Sequence, residues 1–499
     1  MRRVLPAVAA VLALAGVAAP IARGADAPAI ANEVVTSFDG TGIAVTVFRP
    51  VGADARRRVP VILESHGWAG SRRTEVDTTV KPFLDAGYGM VSIDQRGHGD
   101  SGGEANVQDP DLEARDIQAV IDRVAHLPWV QLEKPGDPVL GAIGGSYGGG
   151  YQTMTALVEQ ASRKGGTRFD ALAPEITWHD LPDSLAPSDV PRTVWLTALF
   201  AAGAPMLPSY VQQAFVEGMA TGTLPASLKA EFATHSPRHY TDRGVRLDIP
   251  VLFRQGTSDN LFILNQGLRN FASMLTPKAK AASRFVSYNG GHALPNVLPP
   301  GALDPNGLEG TDACSGPKGF AGTTLAFFDR VLRGKGPGAG LPKAYNLTTA
   351  DGSRCVRIDT LPAMTAAPVG MAVTTAGAGV PQYLPLVTGK ATVAGIPKLR
   401  GKLTTLGVDT RFFVGLAIGT SPADARVIQN NLLPVRRAML VSGEAMTAAL
   451  PGVVADVPAG QTLYLVVTPV SDMFVAHGSR TPGVALLENA VVDLPLVSQ

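Results

Sequence analysis

Two cysteines in 499 residues, Cys314 and Cys355, are too few for a disulfide scaffold, and no Cys-x-x-Cys or Cys/His run has metal-site spacing. Charge is sparse as well: 17% of residues are charged, the formal net charge is +1, and there is no basic stripe or acidic tail. Nucleic acid and anionic membranes are therefore not expected partners. A Gly-x-x-x-x-Gly-Lys-Ser/Thr loop is missing, which removes support for an ATP-driven role. Beyond the N-terminus no apolar stretch could span a bilayer without a Pro or Gly break. The acidic loop Asp304-Pro305-Asn306 with Asp312 lacks the Asp-x-Asp-x-Asp-Gly spacing of a calcium loop and reads as an ordinary turn. No metal and no cofactor are expected.

What is present describes a globular chain. Hydrophobic residues make up 45%, and the length suggests two or three domains with ample core. Met1-Arg2-Arg3, the apolar stretch Val4–Ala19 and the small residues Ala22 and Gly24 have the layout of a secretory signal over residues 1–24. The stretch is short and broken by Pro6, which argues for export over membrane anchoring. In an exported chain an even pair of cysteines suggests a Cys314–Cys355 disulfide, the alternative being two free thiols. Such a bridge closes a loop of about 40 residues, worth roughly 4 kcal/mol in the chain-entropy picture.

Residues 33–48 alternate around Asp39-Gly40 as a hairpin does. Short apolar runs then alternate with helical patterns. Val59–Leu63, Gly89–Ile93, Val139–Ile143, Phe169–Ala173, Val251–Phe253 and Phe285–Tyr288 read as strands. Asp111–Val124 carries Ile117, Val120, Ile121 and Val124 at i, i+3, i+4 and i+7, a one-faced helix. This alternation implies a doubly wound, mainly parallel sheet covered on both faces, over residues 30–345. Between 176 and 247 it breaks into helical patches separated by prolines, as a helical cap insertion would. Later the texture changes to short β-like runs with turn signals, predicting an all-β sandwich over 365–499.

The chemistry is concentrated at Gly144-Gly145-Ser146-Tyr147-Gly148, between an apolar run and a helical pattern. A strand turning sharply into a helix exposes such a serine and demands small flanking residues. With 55 glycines, chance alone supplies Gly-x-Ser-x-Gly ~0.3 times in a chain of this composition. A second match, Gly99-Asp100-Ser101-Gly102-Gly103, does occur. Context separates them. A serine hydroxyl needs a base, and the base needs an orienting acid. In the α/β-hydrolase order these follow as Ser, Asp or Glu, then His. Asp259 follows the run 249–253 and a Gly turn, and His292 follows the run 285–288. Ser101 would need two β-barrels before it in a trypsin-like reading, and the chain has too few residues there. For the oxyanion hole, the backbone N–H of Tyr147 is one expected donor and that of Trp68, in Ser65-His66-Gly67-Trp68, the other.

Taken together, the elbow with Tyr147 after the serine, the Asp94-Gln95-Arg96-Gly97 loop, the helical insertion and the C-terminal β region resemble the X-Pro dipeptidyl-peptidase/cocaine-esterase-like family of acyl esterases. Val457-Pro458-Ala459-Gly460-Gln461-Thr462-Leu463 is similar to that family's PAGxxL segment. The resemblance implies an α/β-hydrolase core, a helical cap and a jelly-roll-like C-terminal domain. Relatives often use a tyrosine hydroxyl as the second oxyanion donor, where this chain has Trp68. The expected activity is hydrolysis of a small-molecule carboxylic ester, with cleavage of X-Pro peptides as the alternative. A peptidase would need an acidic group for the substrate's N-terminal amine, and Glu175, Asp180 and Asp183 are the candidates.

Overall fold

The computed structural model describes residues 27–292, 312–375, 379–479 and 483–498. The signal segment 1–24 and Asp304-Pro305-Asn306 lie outside the described residues. Alternating apolar and helical segments build one ten-stranded sheet. Its strands are β1 (Ala29–Thr36), β2 (Gly42–Arg49), β3 (Val61–Ser65), β4 (Gly89–Ile93), β7 (Leu140–Gly145), β8 (Ala171–Glu175), β9 (Leu252–Gly256), β10 (Arg284–Tyr288), β11 (Tyr345–Thr348) and β12 (Cys355–Ile358). A small separate hairpin, β5 (Leu132–Lys134) and β6 (Asp137–Pro138), precedes β7. The order is β1-β2-β4-β3-β7-β8-β9-β10-β11-β12. Every pairing from β4 to β11 is parallel, and the two ends are antiparallel.

Helices cover both faces because the parallel strands are apolar throughout. On one face α2 (Glu113–Ala125) buries Ile117, Val120, Ile121 and Val124, the four residues of the predicted stripe. Beside it pack α3 (Tyr147–Ser162) and α9 (Leu264–Ser273). The opposite face is covered by α1 (Lys81–Asp85), with Phe83 and Leu84, and by α11 (Gly319–Arg333), with Phe320, Phe327 and Phe328. Cys314 and Cys355 form a disulfide, with Cα atoms 5.0 Å apart, that ties the segment before α11 to strand β12.

The strand order reverses at β3. From it the chain goes outward to β4 and then back across to β7, leaving a crevice beyond the carboxyl ends of β3 and β7, where open α/β sheets bind ligands. Above that crevice, between β8 and β9, stand α4 (Leu181–Leu185), α5 (Thr193–Gly203), α6 (Ser209–Thr221), α7 (Ala226–Thr234) and α8 (Pro237–Thr241). A further short helix, α10 (Pro277–Ala282), leads into β10.

The C-terminal region is all β. One sheet has the order β13 (Met364–Thr375), β23 (Val484–Pro495), β16 (Lys398–Leu406), β20 (Glu444–Ala449). The other runs β14 (Gln382–Thr388), β22 (Thr462–Thr468), β17 (Thr410–Gly419), β18 (Arg426–Val427), with β19 (Leu433–Arg437) also on β17. A third pair joins β15 (Ala391–Gly395) to β21 (Val453–Val457). Leu399, Leu403 and Leu487 of the first sheet share a core with Val414, Leu463 and Leu465 of the second, as two sheets packed face to face require. Sequence reading placed strands within β16, β17, β22 and β23. It missed β13 to β15 and β18 to β21; of these, β13, β15 and β20 are Ala- and Thr-rich runs that carry little strand signal.

Candidate active site

Ser146 stands between β7 and α3 with φ 57° and ψ −120°, a backbone conformation that L-residues adopt only under constraint. Three hydrogen bonds hold it. The Ser146 N–H donates to the Glu175 carbonyl at 2.9 Å, and the Gly149 and Gly150 N–H groups donate back to the Ser146 carbonyl at 2.9 and 3.0 Å. The glycines two residues to either side are sterically required. A methyl on Gly148 would lie 2.2 Å from the Ser65 carbonyl oxygen, and one on Gly144 would lie 2.5 Å from that of Gly148.

Three side chains meet at the carboxyl ends of three parallel strands. His292, after β10, has Nε2 2.8 Å from Ser146 Oγ and Nδ1 2.7 Å from Asp259 Oδ2. Asp259, after β9, is fully buried, and its other oxygen accepts the N–H groups of Leu261 and Phe262 at 3.0 and 2.7 Å. Those two bonds fix the carboxylate plane and satisfy a buried charge. Phe262 and Trp195 present ring edges to the imidazole, with centroids 5.1 and 5.9 Å away. The arrangement can move a proton from a serine hydroxyl to an imidazole oriented by a carboxylate.

The loop after β3 passes beside the serine. A methyl built on Gly67 would lie 3.7 Å from Ser146 Cβ, so the backbone of Gly67-Trp68 comes within reach of a group bound there. The Trp68 side chain does something else. Its indole N–H donates to the Leu199 carbonyl on α5 at 2.9 Å, and its ring packs edge-on against Tyr147. His66, in the same loop, is pushed down to about 4 by burial and so is a neutral framework group.

Ser101 has a different setting. Its hydroxyl donates to the Asp94 carbonyl at 2.7 Å and accepts the Ala44 N–H at 2.8 Å, stitching the 94–103 loop to β2. Arg96 holds the same loop through Asp116 and Asp39.

An apolar cavity of about 120 Å³ opens at Ser146. Its walls include Trp68, Leu199, Ala214, Leu228, Phe232 and Phe262, with α4 to α7 and the segments that connect them supplying most of the lining. The three acids considered for binding a substrate amine are not on that wall. Glu175 is buried against Arg254 at 2.5 Å, Asp180 caps α4 and pairs with Arg238, and Asp183 pairs with Arg269. Each is occupied in holding elements together.

Sequence reading missed the residues that brace the acid. Arg192 is buried and donates to the Asn260 and Ser184 carbonyls; burial away from water pulls its guanidinium down to about 10. Trp195 Nε1–H donates to Asn260 Oδ1 at 2.6 Å, and Asn431, beyond β18, donates to the Asp259 carbonyl at 3.0 Å. No local motif marks them, because their role depends on contacts between distant segments.

Comparison with known proteins follows the same geometry. Residues 39–293, about half of the chain, match the X-Pro dipeptidyl-peptidase (S15) family. The uncharacterised protein YcjY of Escherichia coli is 27% identical over 126 residues, which are 25% of this chain and 40% of that protein, so the chain spans less than half of that relative's length. A non-heme chloroperoxidase of Streptomyces lividans is 27% identical over 295 residues, 54% of this chain and 97% of that one. Among solved structures, a CocE/NonD family hydrolase from Staphylococcus aureus is similar with a TM-score of 0.67 at 14% identity, covering 94% of both chains. An α-amino acid ester hydrolase is similar with a TM-score of 0.64 at 15% identity, covering 99% of this chain and 98% of the other. At those identities the likeness is one of fold, and it extends through the C-terminal β region. With the family match spanning the strand that carries each of the three site residues, this chain belongs to the X-Pro dipeptidyl-peptidase (S15) family, hydrolases of the α/β-hydrolase fold.

Proposed function

We propose that this chain is a serine hydrolase that cleaves carboxylic esters with an apolar acyl group, through an acyl-enzyme intermediate. The observation that carries the reading is the hydrogen-bonded series Ser146–His292–Asp259 at the opening of an apolar cavity. His292 Nε2 takes the hydroxyl proton as Ser146 Oγ attacks the carbonyl carbon. Asp259 holds the imidazole so that Nε2 faces the serine and offsets the charge that forms on the ring. The backbone N–H groups of Tyr147 and Trp68 receive the oxyanion, each donor worth roughly 3 kcal/mol. Collapse of the tetrahedral species breaks the ester C–O bond, and His292 returns its proton to the departing alkoxide. Water then repeats the sequence on the acyl-enzyme and releases the acid and free Ser146.

Ester is favoured over peptide because Glu175, Asp180 and Asp183 are all committed to other partners, and none lines the cavity. A dipeptide amine brought into an apolar cavity with no counter-charge would lose its hydration uncompensated. The substrate is accordingly a small uncharged ester. The Cys314–Cys355 disulfide supports export of the chain, since such bonds persist in oxidising compartments. No helix among the described residues is long and apolar enough to cross a membrane. The test compares p-nitrophenyl butyrate and hexanoate with a Gly-Pro p-nitroanilide. The esters should give kcat/KM at least about a hundredfold higher. Faster release from the nitroanilide would establish the peptidase instead.

A further inference from the structure

Where α7 meets the turn before α2, Asp109, Glu231 and His235 converge. His235 follows α7 directly and is fully buried, yet its Nε2 has no hydrogen-bond partner. Its other nitrogen, Nδ1, lies 3.2 Å from the Val107 carbonyl oxygen. A carbonyl only accepts, so Nδ1 carries the proton and Nε2 presents a bare lone pair. That lone pair faces two carboxylates, Asp109 Oδ2 and Glu231 Oε1, each 3.8 Å away. This is too long for a hydrogen bond. It fits the separation of two ligands that share an ion about 2.1 Å from each.

The remaining features agree. The three ligand atoms lie within 4.8 Å of one another. Around a tetrahedral ion two such atoms are about 3.4 Å apart, so closing the set takes a shift of up to roughly 1.4 Å. Glu231 can supply it, because its side chain is half exposed and makes no hydrogen bond among the described residues. Glu231 and His235 are four residues apart and so emerge on one side of α7. Asp109 Oδ1 is engaged by the Asp111 N–H at 2.7 Å, which aims Oδ2 at the imidazole. Among the described residues, neither acid forms an ion pair with a lysine or arginine. A donated Nδ1–H and a free Nε2 are the usual posture of a metal-binding histidine.

We infer that Asp109, Glu231 and His235 form a site for a divalent first-row transition ion of the Zn²⁺ type, completed by water, that fastens α7 to the turn before α2. One imidazole and two carboxylates suit Zn²⁺, whereas Mg²⁺ and Ca²⁺ favour all-oxygen shells. The site is separate from the reacting groups, since none of its three ligands lines the cavity at Ser146. It bears on that cavity through its neighbours. Leu228 and Phe232 of α7 and Val107, whose carbonyl engages His235, all line the wall. An ion here would hold that wall in place. The inference departs from the metal-free expectation of the sequence, in which Asp109 stands too far from Glu231-x-x-x-His235 to register as a ligand.

The test uses the full untagged chain after chelator treatment, with ZnCl₂ as the probe, followed by titration calorimetry and thermal unfolding. One Zn²⁺ per chain should bind and raise the unfolding temperature, and MgCl₂ at the same concentration should not. Glu231→Gln, at a half-exposed position, should keep the metal-free unfolding temperature and weaken Zn²⁺ binding about tenfold or more. Asp109→Asn, read in the same way, provides a second variant. No stoichiometric binding to the parent protein would overturn the site. Equal Zn²⁺ affinity in the parent and in both variants would overturn it too, because the ion would then be bound elsewhere.

Discussion

Asn431, in the C-terminal β region, donates a 3.0 Å hydrogen bond to the main-chain carbonyl of Asp259, the acid beside His292. The acid loop is thereby held from two sides: by Arg192 and Trp195 through Asn260, and by Asn431 directly. The β region thus helps to position the site. Asn431→Ala leaves that buried carbonyl unpartnered and loosens the loop, at about 1–1.5 kcal/mol. Expressed in the chemical step, this is a fall in kcat of about tenfold. Steady-state kinetics on p-nitrophenyl butyrate should show the loss in kcat with KM little changed. A variant with parental kcat would show that the β region does not act through this contact.

The cavity makes its own prediction. Ala214 lies on α6, buried in the cavity wall. Ala214→Phe should fill space that a longer acyl chain needs while leaving room for acetate. On a series of p-nitrophenyl esters, kcat/KM for hexanoate and octanoate should fall about tenfold or more, with acetate within about threefold of the parent. A uniform loss along the series would mean that this wall does not read chain length.

Stability should depend on pH through two buried histidines. Burial pushes His66 and His179 from 6.5 down to about 4. The unfolded chain therefore takes up protons that the folded chain refuses between pH 6.5 and about 4. Their contribution is complete above 6.5 and is lost as the pH falls through that window. By pH 5 each costs roughly 2 kcal/mol. Burial acts in the opposite sense on Glu113 and Asp170, raised to about 8 and about 7, so the histidine share is read as a difference between proteins. Between pH 7 and pH 5 the urea midpoint of His179→Gln should rise relative to that of the parent, and an equal change in the two would remove His179 from the account.

How much of this was legible in the sequence follows from the range of each interaction. Ser146, Asp259 and His292 each follow a short apolar run, and parallel strands collect such positions at one edge of a sheet, so local pattern and chain order were enough to bring them together. The Gly144 and Gly148 requirement is local as well. Arg192, Asn260 and Asn431 meet only after the helical insertion and the β region have docked, and no spacing announces that. Glu175, Asp180 and Asp183 looked available because sequence shows charge but not partner; Arg254, Arg238 and Arg269 neutralise them. The strands β13 to β15 escaped notice because packing against a second sheet, more than their own composition, makes them strands.

The central claim, that Ser146 is the nucleophile of a working Ser146–His292–Asp259 series, is tested most directly by intact-protein mass spectrometry after treatment with a fluorophosphonate. The parent chain and Ser101→Ala should each gain a single adduct, mapped to Ser146 by peptide analysis, and lose ester hydrolysis in proportion to labelling. Ser146→Ala should keep its unfolding transition and gain no adduct. Labelling that persists in Ser146→Ala, or full ester hydrolysis by that variant, would contradict the account.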